Sequence, residues 1–466
     1  MKTQSMLLAA LASAPAVLAH TVFTDFYVDG VPQGDGVAMR MSTNNAQAGS
    51  PISSLDSDDM ACNVGGTKGV ARTQPVNDGA LLSFEIREWA DDASKGSISR
   101  GHYGPCAVYL KKVASAVDDT AAGDGWFKIF DHGYDASTNR WCTDEIIDNK
   151  GLLNVYLPQG LAGGDYLARP EILALHNALK GDAQPYTGCA QIFLKSSGNL
   201  GPESTVSIPG HMKAGTPSTT WDIYPPADNS KYPLPGPAVA KLVAKSSIAS
   251  TKSTSQADGV EPAGCILENA NWCGKEVASY SDEDGCWASA KDCWAQQEVC
   301  WGSAPATGGA GCKLWDAKCT GIQDACNAKN FHGPPNQGQV LTPKKNAIDV
   351  GKIMATVGGG QIYDAPTPTP SPHQSAAAAA ASSPTTHNNK PVQQKQDQQL
   401  GPANPPPPPP ASLVTPAPAP PQPTNGPACV SGGPCITVTD VEVVTQTVYV
   451  TAAAAKAKAR RWAHRY

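Results

Sequence analysis

A histidine that begins a mature chain offers two nitrogens to one metal ion, and this sequence places His20 where a secretory leader would be cut. Lys2 carries the leader's positive charge, Met6–Ala19 its apolar run, and Val17 and Ala19 the small-residue cleavage pattern. Released there, His20 would present its α-amine together with ring Nδ1. An α-amine, with a pKa near roughly 8, yields its proton to a metal more readily than a lysine does. A second imidazole would complete three nitrogens in one plane, a field that favours Cu(II). Taken alone, His20 serves equally well as a chance surface histidine.

The elements that would hold such a site are strands. Leu82, Phe84 and Ile86 alternate with Ser83, Glu85 and Arg87, and short apolar runs recur at Val108–Leu110, Trp126–Ile129, Val155–Leu157 and Gln191–Leu194, separated by Gly, Asn, Asp and Pro. Many short strands with turn signals and no long helical period predict a mainly β fold over residues 20–240, an immunoglobulin-like or fibronectin-like antiparallel β-sandwich. A chain of that length can bury a substantial core.

Dispersed motifs then narrow the chemistry. Gly101-His102-Tyr103-Gly104-Pro105, running into Tyr109-Leu110-Lys111-Lys112-Val113, resembles the AA9 family of lytic polysaccharide monooxygenases. So do Asp59-Met60-Ala61-Cys62-Asn63, Gly125–Ile129, Arg169–His176 and Gln184–Ile192. They keep the family's order and spacing from His20 to about Pro237, which makes the signal far more specific than a lone motif. Two positions depart from the pattern. Gly101 stands where the family commonly has Ser, and Pro185 stands between Gln184 and Tyr186, where it fixes φ and deletes a donor.

The resemblance implies one Cu(2+) held by His20 and His102, with Tyr186 as a distant axial group. It implies His176 and Gln184 as the outer pair that hydrogen-bonds the oxidant. Tyr232 matches a surface tyrosine whose ring would stack on a sugar. The implied activity is oxidative cleavage of β-1,4-glucosidic bonds in cellulose or a related insoluble β-glucan. Cleavage would follow hydroxylation at C1 and/or C4, using O2 or H2O2. An external electron donor is implied, either a small reductant or a redox enzyme such as cellobiose dehydrogenase. The resemblance also implies a Cys62–Cys189 disulfide, which leaves Cys106 and Cys142 to pair. A non-catalytic glucan-binding protein shares every feature except the need for a free His20 amine. A hydrolase would need two carboxylates at a set separation, and no motif picks out such a pair.

Beyond residue 240 the composition changes. Residues 241–260 read as a linker, 261–335 as a Cys/Trp-rich module, 336–428 as a Pro/Ala-rich, disordered low-complexity linker and 429–466 as a tail with a Cys429–Cys435 loop. In the module, Cys286, Cys293 and Cys300 recur every seven residues, as do Cys312, Cys319 and Cys326. A seven-residue step stays on nearly one helical face, and the Gly- and Pro-containing stretch between the triplets is a turn. The spacing predicts an antiparallel helical hairpin with rungs Cys300–Cys312, Cys293–Cys319 and Cys286–Cys326, leaving Cys265–Cys273. Trp287, Trp294 and Trp301 each follow a rung cysteine. They form either a carbohydrate platform or the apolar core of a small disulfide domain.

The whole chain carries a formal net charge of −6. That disfavours a nucleic-acid partner, which needs a basic face. Fourteen cysteines fit an oxidising, extracellular compartment. No segment after the leader is apolar for long enough to cross a bilayer. A secreted monomer without membrane or nucleic-acid partners is the expectation.

Overall fold

The computed structural model describes residues 21–245 and 255–354. The leader, His20, the Pro/Ala-rich stretch and the Cys429–Cys435 segment lie outside the described residues.

Two sheets face one another, giving a mainly β, sandwich-like body. The first runs in the order Leu152–Tyr156, Leu81–Arg87, Val22–Val28, Val31–Pro32. The second runs Val206–Ile208, Gly123–His132, Cys106–Lys112, Ala162–Asn177, Cys189–Ser197, Met39–Arg40. Asp182–Thr187 is added beside Ala162–Asn177, and Gln74–Asn77 lies parallel to Cys189–Ser197. Phe26, Leu82, Phe84 and Leu153 from the first sheet meet Val108, Phe127, Ala168 and Ile192 from the second in one core, as the two-residue period of a strand requires.

The alternation in Leu81–Arg87 does not leave a solvated face. Ser83, Glu85 and Arg87 are buried as well. Arg87 makes paired bonds of 2.9 and 2.7 Å to Asp35 and one of 2.6 Å to Glu85. Beside them, Asn154 donates to the Val350 and Lys352 carbonyls, and its own carbonyl accepts from Met354 N–H. Residues 336–354, placed in a linker by their composition, thus run as a strap across this sheet. Gly30 allows the approach, since a Cβ there would stand 2.7 Å from the Ile348 carbonyl oxygen.

The outer face of the second sheet is also apolar where loops cover it. Tyr109, Trp126, Leu167 and Leu173 form a second core with Met60 and Ala61, under the Cys62–Cys189 disulfide. Within it Arg169 donates to the Met60 and Ala61 carbonyls and to Glu171 at 2.6 Å, while His211 Nε2 meets the same Glu171 oxygen at 3.0 Å. Burial by itself would raise the Glu171 pKa. Arg169 and His211 outweigh it and hold the carboxyl down at about 2. Those two charged residues of the Arg169–His176 motif are therefore structural.

The helical hairpin forms as its heptads predict. The helices span Glu283–Ser303 and Ala310–Asn327, joined by Cys286–Cys326, Cys293–Cys319 and Cys300–Cys312, with Cys265–Cys273 in the strand pair before them. Asp282 caps the first helix by accepting from Gly285 N–H at 2.8 Å. The module is seated on the sandwich. The Asn271 amide bonds Ala38 N–H and the Gly36 carbonyl at 2.9 and 3.0 Å, and Glu268 pairs with Arg72 and Lys345.

Two outcomes follow. Glu171→Gln strands the buried Arg169 charge, so denaturant unfolding should show a loss of about 3–5 kcal/mol. Asp25 is buried beside Asp35 and Glu85, and burial first, then those carboxylates, raise its pKa from 3.8 to about 8. The folded chain then keeps a proton that the unfolded chain has released, so stability should fall as pH rises from about 4 to 8. Asp25→Asn should flatten that slope in unfolding curves taken at pH 5 and pH 8.5.

Candidate metal centre

The long strand Ala162–Asn177 gathers residues from four parts of the sequence at one end. On one edge it pairs with Asp182–Thr187, setting Tyr186 opposite Ile172 and Gln184 opposite Ala174. On the other edge Leu173 N–H donates to the Pro105 carbonyl at 3.1 Å and Leu175 N–H to the Tyr103 carbonyl at 2.8 Å. The loop bearing His102 is thereby zipped to the strand that bears His176. The seam is tight at Gly104, where a Cβ would overlap the Leu173 carbonyl. Thr143, next to Cys142 of the Cys106–Cys142 disulfide, accepts from Gly104 N–H through its hydroxyl at 3.1 Å. Gly101 has φ of +110°, a conformation suited to glycine.

The rings converge. His102 and His176 lie with centroids 4.5 Å apart, and His102 and Tyr186 6.3 Å apart. His102 Nδ1 is 3.0 Å from the Ser99 carbonyl oxygen. A carbonyl can only accept, so Nδ1 carries the proton and Nε2 keeps its lone pair, the arrangement that orients a metal-binding histidine. Burial lowers the His102 pKa against the opposing pull of Ser99 and Glu88. Burial, then His102, lowers that of His176. Both rings are held toward the neutral form that binds metal. His176 Nδ1 is buried and has no hydrogen-bond partner among the described residues.

Tyr186 is buried, and burial raises its pKa, so it stays a phenol. Its hydroxyl donates to Gln184 Oε1 at 3.3 Å, and Gln184 Nε2 donates to Asp182 at 2.8 Å. Pro185, between them, sits opposite Leu173 and lends its carbonyl to Ile52 N–H at 3.0 Å. The amide of Gln184 is thus held from both ends.

His20 lies outside the described residues. Its neighbour Thr21 is fastened at the site, with Oγ1 donating to the Ser97 carbonyl at 2.7 Å and N–H to the Gly49 carbonyl at 2.9 Å. Ser97 is two residues before Ser99, in the loop that leads to His102. Among the described residues no group of three or more His, Cys, Asp or Glu is placed to hold a metal ion. The donor set nevertheless fits a cupric ion: an oriented imidazole with a free Nε2, a phenol beside it, and the residue after His20 anchored alongside.

One expectation is corrected. Tyr232 is only 8% exposed. Trp141 and Trp221 pack edge-on to its ring at 5.2 and 5.7 Å, and its hydroxyl donates to the Ser218 carbonyl. Its faces are enclosed, so it offers no platform to a sugar. Sequence reasoning missed Tyr224, which is 50% exposed and donates to the His176 carbonyl at 3.3 Å, and the exposed Tyr103 beside His102. The one available signal for Tyr224 was an aromatic residue before Pro225-Pro226, in a loop that also carries Trp221 and Ile223.

Comparison with known proteins agrees with this geometry. Residues 20–232 match Auxiliary Activity family 9 (formerly GH61). The chain is 49% identical over 344 residues to AA9 family lytic polysaccharide monooxygenase C of Aspergillus tamarii, covering 72% of this chain and 92% of that one. It is 47% identical over 342 residues to monooxygenase H of the same family from Botryotinia fuckeliana, covering 71% and 78%. It is also 47% identical over 360 residues to monooxygenase A from Emericella nidulans, covering 75% and 62%. The chain therefore belongs to the AA9 family of lytic polysaccharide monooxygenases, secreted, copper-dependent oxidative enzymes.

Proposed function

We propose that this chain is an extracellular monooxygenase that cleaves β-1,4-glucosidic bonds of cellulose, or a related insoluble β-glucan, by hydroxylation at C1 and/or C4. His20, through its freed amine and ring, and His102, through Nε2, would hold one copper ion, with the Tyr186 phenol beside them. The observation that carries the reading is the His102 ring, its tautomer dictated by the Ser99 carbonyl and its neighbours His176 and Tyr186 gathered by one strand end.

When bound, copper supplies the one-electron chemistry that couples an external donor to O2 or H2O2. The chain's own residues position and protect. Gln184, held by Asp182 and Tyr186, would aim its amide at the oxidant. His176, whose buried Nδ1 lacks a partner, would donate to or accept from the same species. Tyr186 closes one side with a neutral phenol. The exposed rings of Tyr224 and Tyr103 flank the site and could lie on sugar faces.

The same reading takes residues 20–240 as an immunoglobulin-like or fibronectin-like catalytic domain, 261–335 as a separate module, and the chain as a monomer. The electron donor would be a small reductant or a redox enzyme such as cellobiose dehydrogenase. No helix among the described residues is long and apolar enough to cross a membrane.

Adding one residue before His20 should abolish tight copper binding in calorimetric titration and abolish aldonic acids and C4-ketoaldoses from cellulose supplied with ascorbate. His102→Ala should weaken copper by more than the roughly 10–100-fold that loss of a supporting contact costs. Unchanged behaviour of the extended chain would favour a non-catalytic binding protein. Plain oligosaccharide products would mean hydrolysis.

A further inference from the structure

The hairpin module repeats one side-chain arrangement along its first helix. Trp287, Trp294 and Trp301 each stand one residue past a rung cysteine, so each is turned about 100° from the disulfide ladder. Ser289 and Gln296 stand two residues past Trp287 and Trp294, about 200° further round. They bind the other flank: Ser289 donates to the Ala278 carbonyl, and the Gln296 amide bonds Lys275 N–H and carbonyl. The strand pair and the segment that follows it therefore cover one side of the helix, with Trp315 buried against Trp272. The three tryptophans lie on the opposite side. Trp287 is 37% exposed and Trp301 39%. Trp294 is half-buried.

Two of the three rings are held, not loose. The indole N–H of Trp294 donates to Gln323 at 3.2 Å and that of Trp301 to Asp316 at 3.4 Å. Each acceptor is four residues past the rung cysteine of the second helix, so both indoles lean the same way across the ladder. Trp301 also lies against the backbone of Gly309, where a Cβ would collide with its ring. Pre-set rings lose little freedom when a ligand docks.

Spacing points to a linear ligand with a matching repeat. Seven residues at about 1.5 Å each put successive rings roughly 10 Å apart along the axis, close to the disaccharide repeat of an extended β-1,4-glucan. Between the rings the face is polar, with Lys291, Gln297 and Glu298, and the exposed Thr320 lies between Asp316 and Gln323 on the second helix. A protein partner would call for a continuous apolar patch. Separate rings with hydroxyl and amide groups between them suit a sugar chain, whose CH faces stack on indoles while its hydroxyls bond the flanks.

We infer that the Trp287–Trp294–Trp301 stripe is a second glucan-binding site, which takes one extended β-1,4-linked chain with one ring per disaccharide. The identity of the polymer rests on the proposed function; the stripe and its spacing do not.

The test is depletion of the full-length, copper-chelated chain by microcrystalline cellulose, with granular starch as the competing polymer. Trp287→Ala/Trp301→Ala should lower the partition coefficient on cellulose at least fivefold, and Trp287→Phe/Trp301→Phe should keep most of it. Val299→Ser/Leu314→Ser, which removes exposed apolar groups elsewhere on the hairpin, should leave it unchanged. Binding within twofold of the parent for the alanine pair would overturn the inference. So would an equal loss in the serine pair, or equal binding to starch. Loss of binding in the alanine pair from a parent that makes no oxidised products would leave this site standing and remove the proposed function.

Discussion

A single hydrogen bond gives the candidate centre its chemical sense. The Ser99 carbonyl accepts a hydrogen bond from His102 Nδ1–H and so leaves the lone pair on Nε2, pointing outward. Everything that surrounds it serves to hold that ring still. The backbone bonds from Leu173 and Leu175 zip its loop to the long strand, the missing side chain at Gly104 lets the two backbones meet, and Cys106–Cys142 closes the loop from behind. The same strand end brings His176, and through its hairpin partner Gln184 and Tyr186. Rigid sheet, not loop, therefore sets most of the geometry, which is what a site built for a metal and a strong oxidant requires.

The interior around this edge is unusually polar for a β-sandwich. Arg169, Glu171 and His211 share one buried oxygen, and Arg40 sends its guanidinium to Gln191 and to the Gly66 and Ala116 carbonyls. Such groups persist in a core only when they are paired. Here they tie long, turn-rich loops to the sheet, where apolar contact alone would specify their path poorly. The charged residues of the Arg169–His176 motif and the histidine that ends it thus divide the work between fastening the fold and furnishing the site.

Much of this was legible in the sequence, and the failures share a cause. The heptad cysteines announced the hairpin and its rungs because a local period encodes a helical face. The alternation of Leu82, Phe84 and Ile86 announced the strand and which side met the core. It did not reveal that Ser83, Glu85 and Arg87 would also be buried, because their cover comes from Asp35 and from a strap near residue 350. Tyr232 was read as a surface ring because its two enclosing partners, Trp141 and Trp221, are not both its neighbours in the chain. Tyr224 went unread for the converse reason. Motifs with a local physical origin survive reading from sequence, whereas exposure is a property of distant segments and does not.

The measurement closest to the heart of this account is electron paramagnetic resonance of the purified chain loaded with one equivalent of Cu(II), with the first residue of the same sample read by mass spectrometry. The account predicts a chain starting at His20 and an axial spectrum with coupling to three nitrogens. A chain that starts elsewhere yet gives the same spectrum, or one that starts at His20 but binds copper through fewer nitrogens, would contradict it.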